Sequence, residues 1–245
     1  MKVSFLLPTK NSDRRSEAYA SRVIENINEN CSYEKEILVY SPKRVEGENV
    51  KWFEEKIDSA GCTIGYNFLY KQSKGEYVFV NNDEYGFTRN SPEMAIRILE
   101  SKFYCNKKVK ILGMGSDINY FPNARITSPF TCVPNYGLIK QDYRVCGYPM
   151  FHRDTIEKYL SGYIYHPKFK HHFGDNYLPF YVGYVLKEPI EDCPLSSMKL
   201  LLQKDIVIRK EDSSDIQIYK NLISNLVSGK SRNYVEPEGE WCEED

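Results

Sequence analysis

Short, continuously apolar runs alternate with segments of helical spacing through the first hundred residues, and this alternation narrows the fold more than any other feature of the chain. Lys2 to Leu7 is apolar for most of its length and stops at Pro8. Glu36 to Tyr40 (EILVY) stops at Ser41-Pro42, Val50 to Ile57 is a third candidate strand, and Glu76 to Val80 (EYVFV) runs into Asn81-Asn82-Asp83-Glu84. Between them, Ser16 to Asn30 sets Ala20, Val23, Ile24 and Ile27 at helical spacing behind a Ser16 cap, and Gly65 to Ser73 carries Phe68 and Leu69 before Lys74-Gly75. A strand with no polar alternation is covered on both faces. The pattern therefore predicts an α/β fold with a mostly parallel sheet flanked by helices.

Beyond residue 90 the signals are sparser. Pro92 to Phe103 predicts a helix, with proline suited to its first turn, and Lys108 to Met114 predicts a strand. Residues 115–149 are rich in Gly, Pro, Asn and aromatics without periodicity, a loop length that in compact domains usually serves function or movement. Asp154 to Leu160 reads as a short helix, and Leu178 to Leu186 as either a helix or a strand. Ser213 to Val227 carries Ile216, Ile218, Leu222, Ile223 and Leu226 and predicts a C-terminal helix ended by Gly229. From Ser231 on the chain reads as a disordered tail, with six acidic residues in its last ten. There is no internal repeat.

The 245 residues allow one large domain or two small ones. Thirty-three basic against thirty-four acidic residues give a net charge of -1, which argues against a nucleic-acid binder working through a basic surface. No apolar run approaches the roughly 18 residues of a membrane span, and Val3 to Leu7 is too short for a secretory signal. The seven cysteines are scattered, without the spacing of a CxxC redox pair or a paired-cysteine zinc site, so they read as small core residues in a reducing, cytoplasmic setting. The absence of a Gly-x-Gly-x-x-Gly, a phosphate loop or a Gly-x-Ser-x-Gly elbow disfavours dinucleotide oxidoreductases, P-loop kinases and serine hydrolases.

The most informative residues follow the Glu76 to Val80 strand. Asn81 to Glu84 should sit at the carboxyl edge of the sheet, where open α/β sheets bind ligands, and Pro8-Thr9-Lys10-Asn11 and Ser41-Pro42 should open onto the same crevice. Adjacent carboxylates there suit a hard divalent cation, which in turn neutralises a diphosphate. The alternative is that Asp83 and Glu84 only cap a turn or the next helix. Asp117, after the Lys108 to Met114 strand, is a rival carboxylate for the crevice, and Tyr143, Tyr148 and Phe151 around Gly147 suit either an aromatic wall or the core. Lys107 to Lys110 reads as a solvated strand entry, and His152 and His166 carry no pattern.

Together these segments resemble family 2 glycosyltransferases of the GT-A fold. Lys2 to Asn11 (KVSFLLPTKN) is similar to their opening strand, Gly65-Tyr66-Asn67 to part of their second helix, and Lys74 to Glu84 (KGEYVFVNNDE) to their "GEY" strand and acidic metal motif. Gly147 to Asp154 resembles their acceptor-side glycine and "RD" element, and His172-Phe173-Gly174-Asp175 stands where they carry an acidic catalytic segment. The likeness spans roughly residues 1 to 190. It implies that Pro8, Thr9, Asn11 and Ser41 lie by the base and ribose, and that Asn67 and Asn82 lie near the diphosphate. Asp83 with Glu84 or Asn82 would hold Mn²⁺ or Mg²⁺, and Asp175 would be the general base. Apart from the resemblance, His171-His172 reads either as a surface pair or as a single histidine, His172, touching the diphosphate or completing the metal shell. A two-histidine, one-carboxylate iron site at His171, His172 and Asp175 is disfavoured because adjacent histidines point apart in regular structure.

What the resemblance implies is metal-dependent transfer of a sugar, with inversion, from a nucleoside diphosphate sugar to a hydroxyl of a glycan or glycoconjugate acceptor. Residues 1–230 would form the GT-A domain, with 1–100 as the nucleotide-sugar half, 101–195 as the acceptor half and 196–230 as a C-terminal helical segment; 231–245 would be the acidic tail. Two departures stand out. Asn82 replaces the first aspartate of the usual Asp-x-Asp, with a one-residue uncertainty in alignment, and Ser41-Pro42 replaces an aspartate at the end of the second strand. They motivate the alternative of a non-catalytic nucleotide-sugar-binding or scaffold module. A nucleotidyltransferase ranks third, since Pro8 to Asn11 is not a glycine-rich basic loop.

Overall fold

The computed structural model describes residues 1–9, 14–55, 61–114, 148–170, 174–188, 190–192, 198–201 and 213–235. In chain order these form β1 (Lys2–Pro8), α1 (Arg14–Asn30), β2 (Glu34–Ser41), β3 (Val50–Glu54), α2 (Cys62–Gln72), β4 (Tyr77–Val80), β5 (Tyr85–Phe87), α3 (Ser91–Glu100), α4 (Lys102–Cys105), β6 (Ile111–Gly113), β7 (Pro149–His152), α5 (Arg153–Tyr159), α6 (Gly174–Tyr181), β8 (Glu191–Asp192), β9 (Met198–Leu200) and α7 (Ser213–Ser228). A π-helical turn, Val182–Leu186, continues α6, so the segment that reads as helix or strand is helical.

Seven strands make the main sheet in the order β3-β2-β1-β4-β7-β6-β8, with β5 and β9 forming a separate antiparallel pair. Strands β1, β2, β3 and β4 are mutually parallel where they touch. Strand β7 runs antiparallel to both β4 and β6. The fold class is thus the expected one: a mostly parallel sheet flanked by helices.

Period two along the strands divides the core. Val3, Phe5, Leu7, Ile37, Val39 and Phe79 point to the face covered by α1 and α3, against Val23, Ile27, Ala95 and Ile96. Leu6, Leu38, Val78 and Val80 point to the other face, covered by α2, α5, α6 and α7 through Leu69, Ile156, Leu178 and Ile223. Both faces are buried, which is why the strands read as unbroken apolar runs. Each such buried side chain stabilises the fold by about 1.5–3 kcal/mol relative to exposure.

Polar residues on the buried strands have local explanations. Ser4 donates to the Glu36 carboxylate (2.7 Å), and its hydroxyl accepts the Gly75 N–H (2.8 Å). The chain comes so close at Gly75 that a Cβ there would lie 2.5 Å from the Ser4 nitrogen, so the position admits only glycine. Glu36 is also bonded by Lys51 (2.5 Å) and the Lys74 N–H (2.5 Å). Burial pushes its pKa up, but these hydrogen bonds outweigh it and hold the carboxyl below the usual range.

The second half corrects two expectations. Pro149–His152, taken with the irregular 115–149 region and the "RD" element in the sequence reading, is a sheet strand; the remainder of 115–147 lies outside the described residues. Arg153 anchors that strand to the start of β4, donating from Nε to the Gly75 carbonyl and from its guanidinium to Ser73 Oγ, both at 2.7 Å. Packing also extends past Ser231. Tyr234 is 1% exposed, donates to the Ile164 carbonyl (3.1 Å), and sits among the rings of His166, Tyr177 and Tyr181. Gly229, at φ 76°, ends α7 as expected. No helix among the described residues is long and apolar enough to cross a membrane.

Candidate functional site

The strand order reverses at β1: β2 and β3 lie on one side of it and β4 on the other. Helices leave in opposite directions at such a point, opening a crevice outside the carboxyl ends of β1 and β4. Pro8 and Thr9 end the first strand, and Asn81 to Glu84 follow the second. The Thr9 hydroxyl donates to Asp83 Oδ2 (2.5 Å), joining the two strand ends across the switch point.

Asn81 extends the β1–β4 pairing through its N–H to the Leu6 carbonyl (3.0 Å), and its own carbonyl accepts from the Tyr66 hydroxyl (2.9 Å). Its side chain is fully buried, and among the described residues neither amide atom has a hydrogen-bond partner. Asn82 is differently employed. Its Oδ1 accepts the N–H groups of Glu84 (3.0 Å) and Tyr85 (3.1 Å), and its Nδ2 donates to the Tyr148 hydroxyl (2.9 Å). This is an Asx turn, so the amide oxygen expected to ligate a metal is already spent on the backbone.

Asp175 enters from the other half of the chain as the second residue of α6. A Cβ on Gly174 would lie 3.0 Å from Cβ of Tyr165, so glycine lets the start of α6 press against that residue. Two tyrosines feel the charges of these carboxylates. Burial, then other groups including the charges of Asp83 and Asp175, push the Tyr66 hydroxyl well above its ordinary pKa. Burial and the charges of Tyr85, Glu84 and Asp175 do the same to Tyr148, against the Asn82 hydrogen bond. The charges of Asp83 and Asp175 thus both bear on Tyr66, and those of Glu84 and Asp175 on Tyr148.

Two expected ligand contacts are corrected. Asn67 is buried, donates to the Tyr165 carbonyl (2.7 Å), and accepts from the Ile164 (3.0 Å) and Tyr165 (3.1 Å) N–H groups. Its amide clamps a chain segment instead of facing the crevice. Ser41 has no exposed surface; its hydroxyl donates to the Lys43 carbonyl (2.7 Å) and accepts from Trp52 Nε1 (3.1 Å), fastening β2 to β3. Pro8 is half-buried beneath α2, where a Cβ on Gly65 would approach its Cβ to 2.8 Å. Asn11 and His172, with Asp117, Tyr143 and His171, lie outside the described residues. Phe151 belongs to the core and Tyr148 to the crevice.

Sequence reasoning set Asn81 at the end of the Glu76 to Val80 strand but gave it no role, and it missed Tyr66, which carried no signal apart from its place in the Gly65-Tyr66-Asn67 triplet.

As a test for a metal, among the described residues no three His, Cys, Asp or Glu side chains converge. Asp83 and Glu84 are adjacent carboxylates at the crevice, a donor set that fits a hard divalent cation whose remaining ligands come from phosphate oxygens and water.

No family model and no curated protein matches the chain by sequence. Solved structures do. S. aureus TarS 1-349 in complex with UDP-GlcNAc superposes with a TM-score of 0.64 at 14% identity, over 93% of this chain and 66% of that one. The mannosyltransferase PcManGT of Pyrobaculum calidifontis, in complex with GDP-Man and Mn²⁺, gives a TM-score of 0.57 at 11% identity, over 91% and 69%. The chain shares their fold. It spans a little under two thirds of the length of the TarS fragment and 37% of the longer TarS chain.

Proposed function

We propose that the chain is a glycosyltransferase that moves a sugar from a nucleoside diphosphate sugar to an acceptor hydroxyl of a glycan or glycoconjugate, with inversion at the anomeric carbon. The observation that carries the reading is the switch-point crevice itself, with Thr9 tied to Asp83 at the ends of β1 and β4; the charge of Asp175, at the start of α6, bears on Tyr66 and Tyr148 as the crevice carboxylates do. The fold it shares with proteins crystallised with UDP-GlcNAc and with GDP-Man and Mn²⁺ supports the same assignment.

In this reading Pro8, Thr9 and Asn11 bind the base and ribose, with Asn81 facing the donor from beneath. Asp83 and Glu84 would hold Mn²⁺ or Mg²⁺, and His172 would lie beside the diphosphate. The ion supplies charge stabilisation to the departing diphosphate. Asp175 takes the proton from the acceptor hydroxyl as its oxygen attacks from behind the anomeric carbon; carboxylate reach and in-line placement are what the step needs. The buried Tyr66 and half-buried Tyr148 limit water between the two carboxylate sites, which strengthens electrostatics there. The scattered cysteine spacing fits a reducing, cytoplasmic setting.

A second reading, a donor-binding module without turnover, draws on the Asx turn that consumes the Asn82 oxygen. The experiment that separates the two is a thermal-shift titration with UDP, GDP, UDP-GlcNAc and GDP-Man, with and without Mn²⁺, followed by a hydrolysis assay on whichever donor binds. At a hundredfold excess over its dissociation constant a ligand stabilises by about 2.7 kcal/mol. Manganese-dependent stabilisation with slow donor hydrolysis supports the transferase, binding without hydrolysis or transfer supports the module, and no shift with any nucleotide overturns both.

A further inference from the structure

A second site lies at the opposite edge of the sheet. Ser32 follows α1 and precedes β2, so it marks the amino edge of the parallel strands, away from the crevice. There one side of α3 and the start of α4 line an open cleft of about 590 Å³, a size that takes a small organic molecule.

Glu93 lines this cavity and is 8% exposed. Its Oε1 accepts from the Ser32 N–H (2.5 Å) and hydroxyl (2.9 Å). Its Oε2 is buried, and among the described residues it has no hydrogen-bond partner. A carboxylate oxygen removed from water without a donor is unfavourable, and a donor that reaches it recovers that loss. The rest of the lining says what the donor is attached to. Phe103 (58%), the N-terminal methionine (46%) and Met94 (37%) are the exposed large apolar side chains among the described residues, and Phe103 and Met94 border this cavity, together with Ile98. Arg97, one helical turn after Glu93 and exposed, lines it too.

From this juxtaposition we infer that the cavity is a binding site for a small α-amino acid with an apolar side chain: its ammonium on Glu93, its carboxylate on Arg97, its side chain against Met94, Ile98 and Phe103. The inference does not rest on the transferase reading. Single exposed apolar residues need no explanation, but two beside a buried carboxylate and an exposed arginine form a set with both charges of a zwitterion and a place for its side chain.

Isothermal titration of the intact protein with L-phenylalanine, phenethylamine and N-acetyl-L-phenylalanine tests it. L-Phenylalanine is expected to bind saturably, phenethylamine roughly tenfold more weakly for want of a carboxylate, and the N-acetyl compound not at all. Glu93→Gln keeps the acceptor for Ser32 and is expected to weaken L-phenylalanine at least tenfold; Arg97→Ala should bring it down to the level of phenethylamine. Phe103→Ala, a change at an exposed side chain, provides the same loss should Glu93→Gln fail to fold. Absence of saturable binding by the folded protein, equal binding of the N-acetyl compound, or binding indifferent to Phe103→Ala and Arg97→Ala would each overturn the site.

Discussion

Glu36, at the amino end of β2, and Asn81, at the carboxyl end of β4, are both almost wholly buried polar side chains at the rims of one sheet, and the chain treats them in opposite ways. Glu36 accepts from Ser4, Lys51 and the Lys74 N–H, so its charge is matched where it lies. Asn81 has neither amide atom paired among the described residues. A fully bonded buried group serves the fold, whereas an open one is tolerated where a bound molecule can complete it. By that contrast Glu36 serves the fold, and we propose that Asn81 serves donor recognition.

The strongest challenge to that division is Glu36→Ala. Removing this buried carboxylate leaves the Ser4 hydroxyl and the Lys74 N–H without their acceptor, while the exposed Lys51 returns to water; the loss should be about 3 kcal/mol, read as a lower urea midpoint with unchanged slope. If the midpoint stays put, the closed rim is not where stability resides. Next is Asp175→Asn. Turnover should fall by a factor of roughly 10², equivalent to about 2.7 kcal/mol of barrier, while donor affinity and melting temperature hold. Full activity in that variant would remove Asp175 from its role as base.

A pH titration probes the ring cluster around His166. His166 is buried among Phe169, Tyr177 and Tyr234, and burial, with the nearby Lys168 charge, brings its pKa down to about 3. The unfolded chain takes up a proton near pH 6.5 and the folded one does not, so the unfolded state binds more protons and stability falls on acidification. The contribution is complete above about pH 6.5 and drains by up to about 1.4 kcal/mol per pH unit until the folded pKa near 3. His166→Phe should flatten the melting-temperature profile between pH 6.5 and 5; an unchanged slope would place the acid sensitivity elsewhere. The smallest effect is expected at Asn81. Its replacement by alanine should change stability by no more than about 1 kcal/mol, because no bond is lost, while weakening donor binding. A large stability loss with unchanged donor binding would reverse the comparison.

Much of the α/β half was legible because its signals are local. Unbroken apolar strands, an amphipathic α1 and the turn after β4 are each contained in a short window, and Gly75 and Gly174 stood within recognisable motifs. What escaped depends on contacts between distant segments. Strand β7 is four residues long with no alternation, and it is made a strand by the edge of β4 and the Arg153 bridge to Gly75. Tyr234 lies in a polar stretch, and only the ring cluster around His166 shows why it is buried. At the site, Asp83 was readable from its place after a strand, but Asn67 and Ser41 carry the same hydrogen-bonding atoms whether they bind a ligand or their own backbone. Composition holds no information about which.

The antiparallel insertion of β7 also sets an order of events during synthesis. Strands β3, β2, β1 and β4 can pair as soon as residue 80 is available, yet the outer edge of β4 waits for Pro149–His152. Through that interval a nascent chain presents the open backbone of a short, wholly apolar strand, the kind of edge that recruits other chains. Ribosomal pausing between residues 114 and 149 should therefore lower the yield of native protein more than pausing after residue 152, making the tempo of translation part of what this sequence must get right.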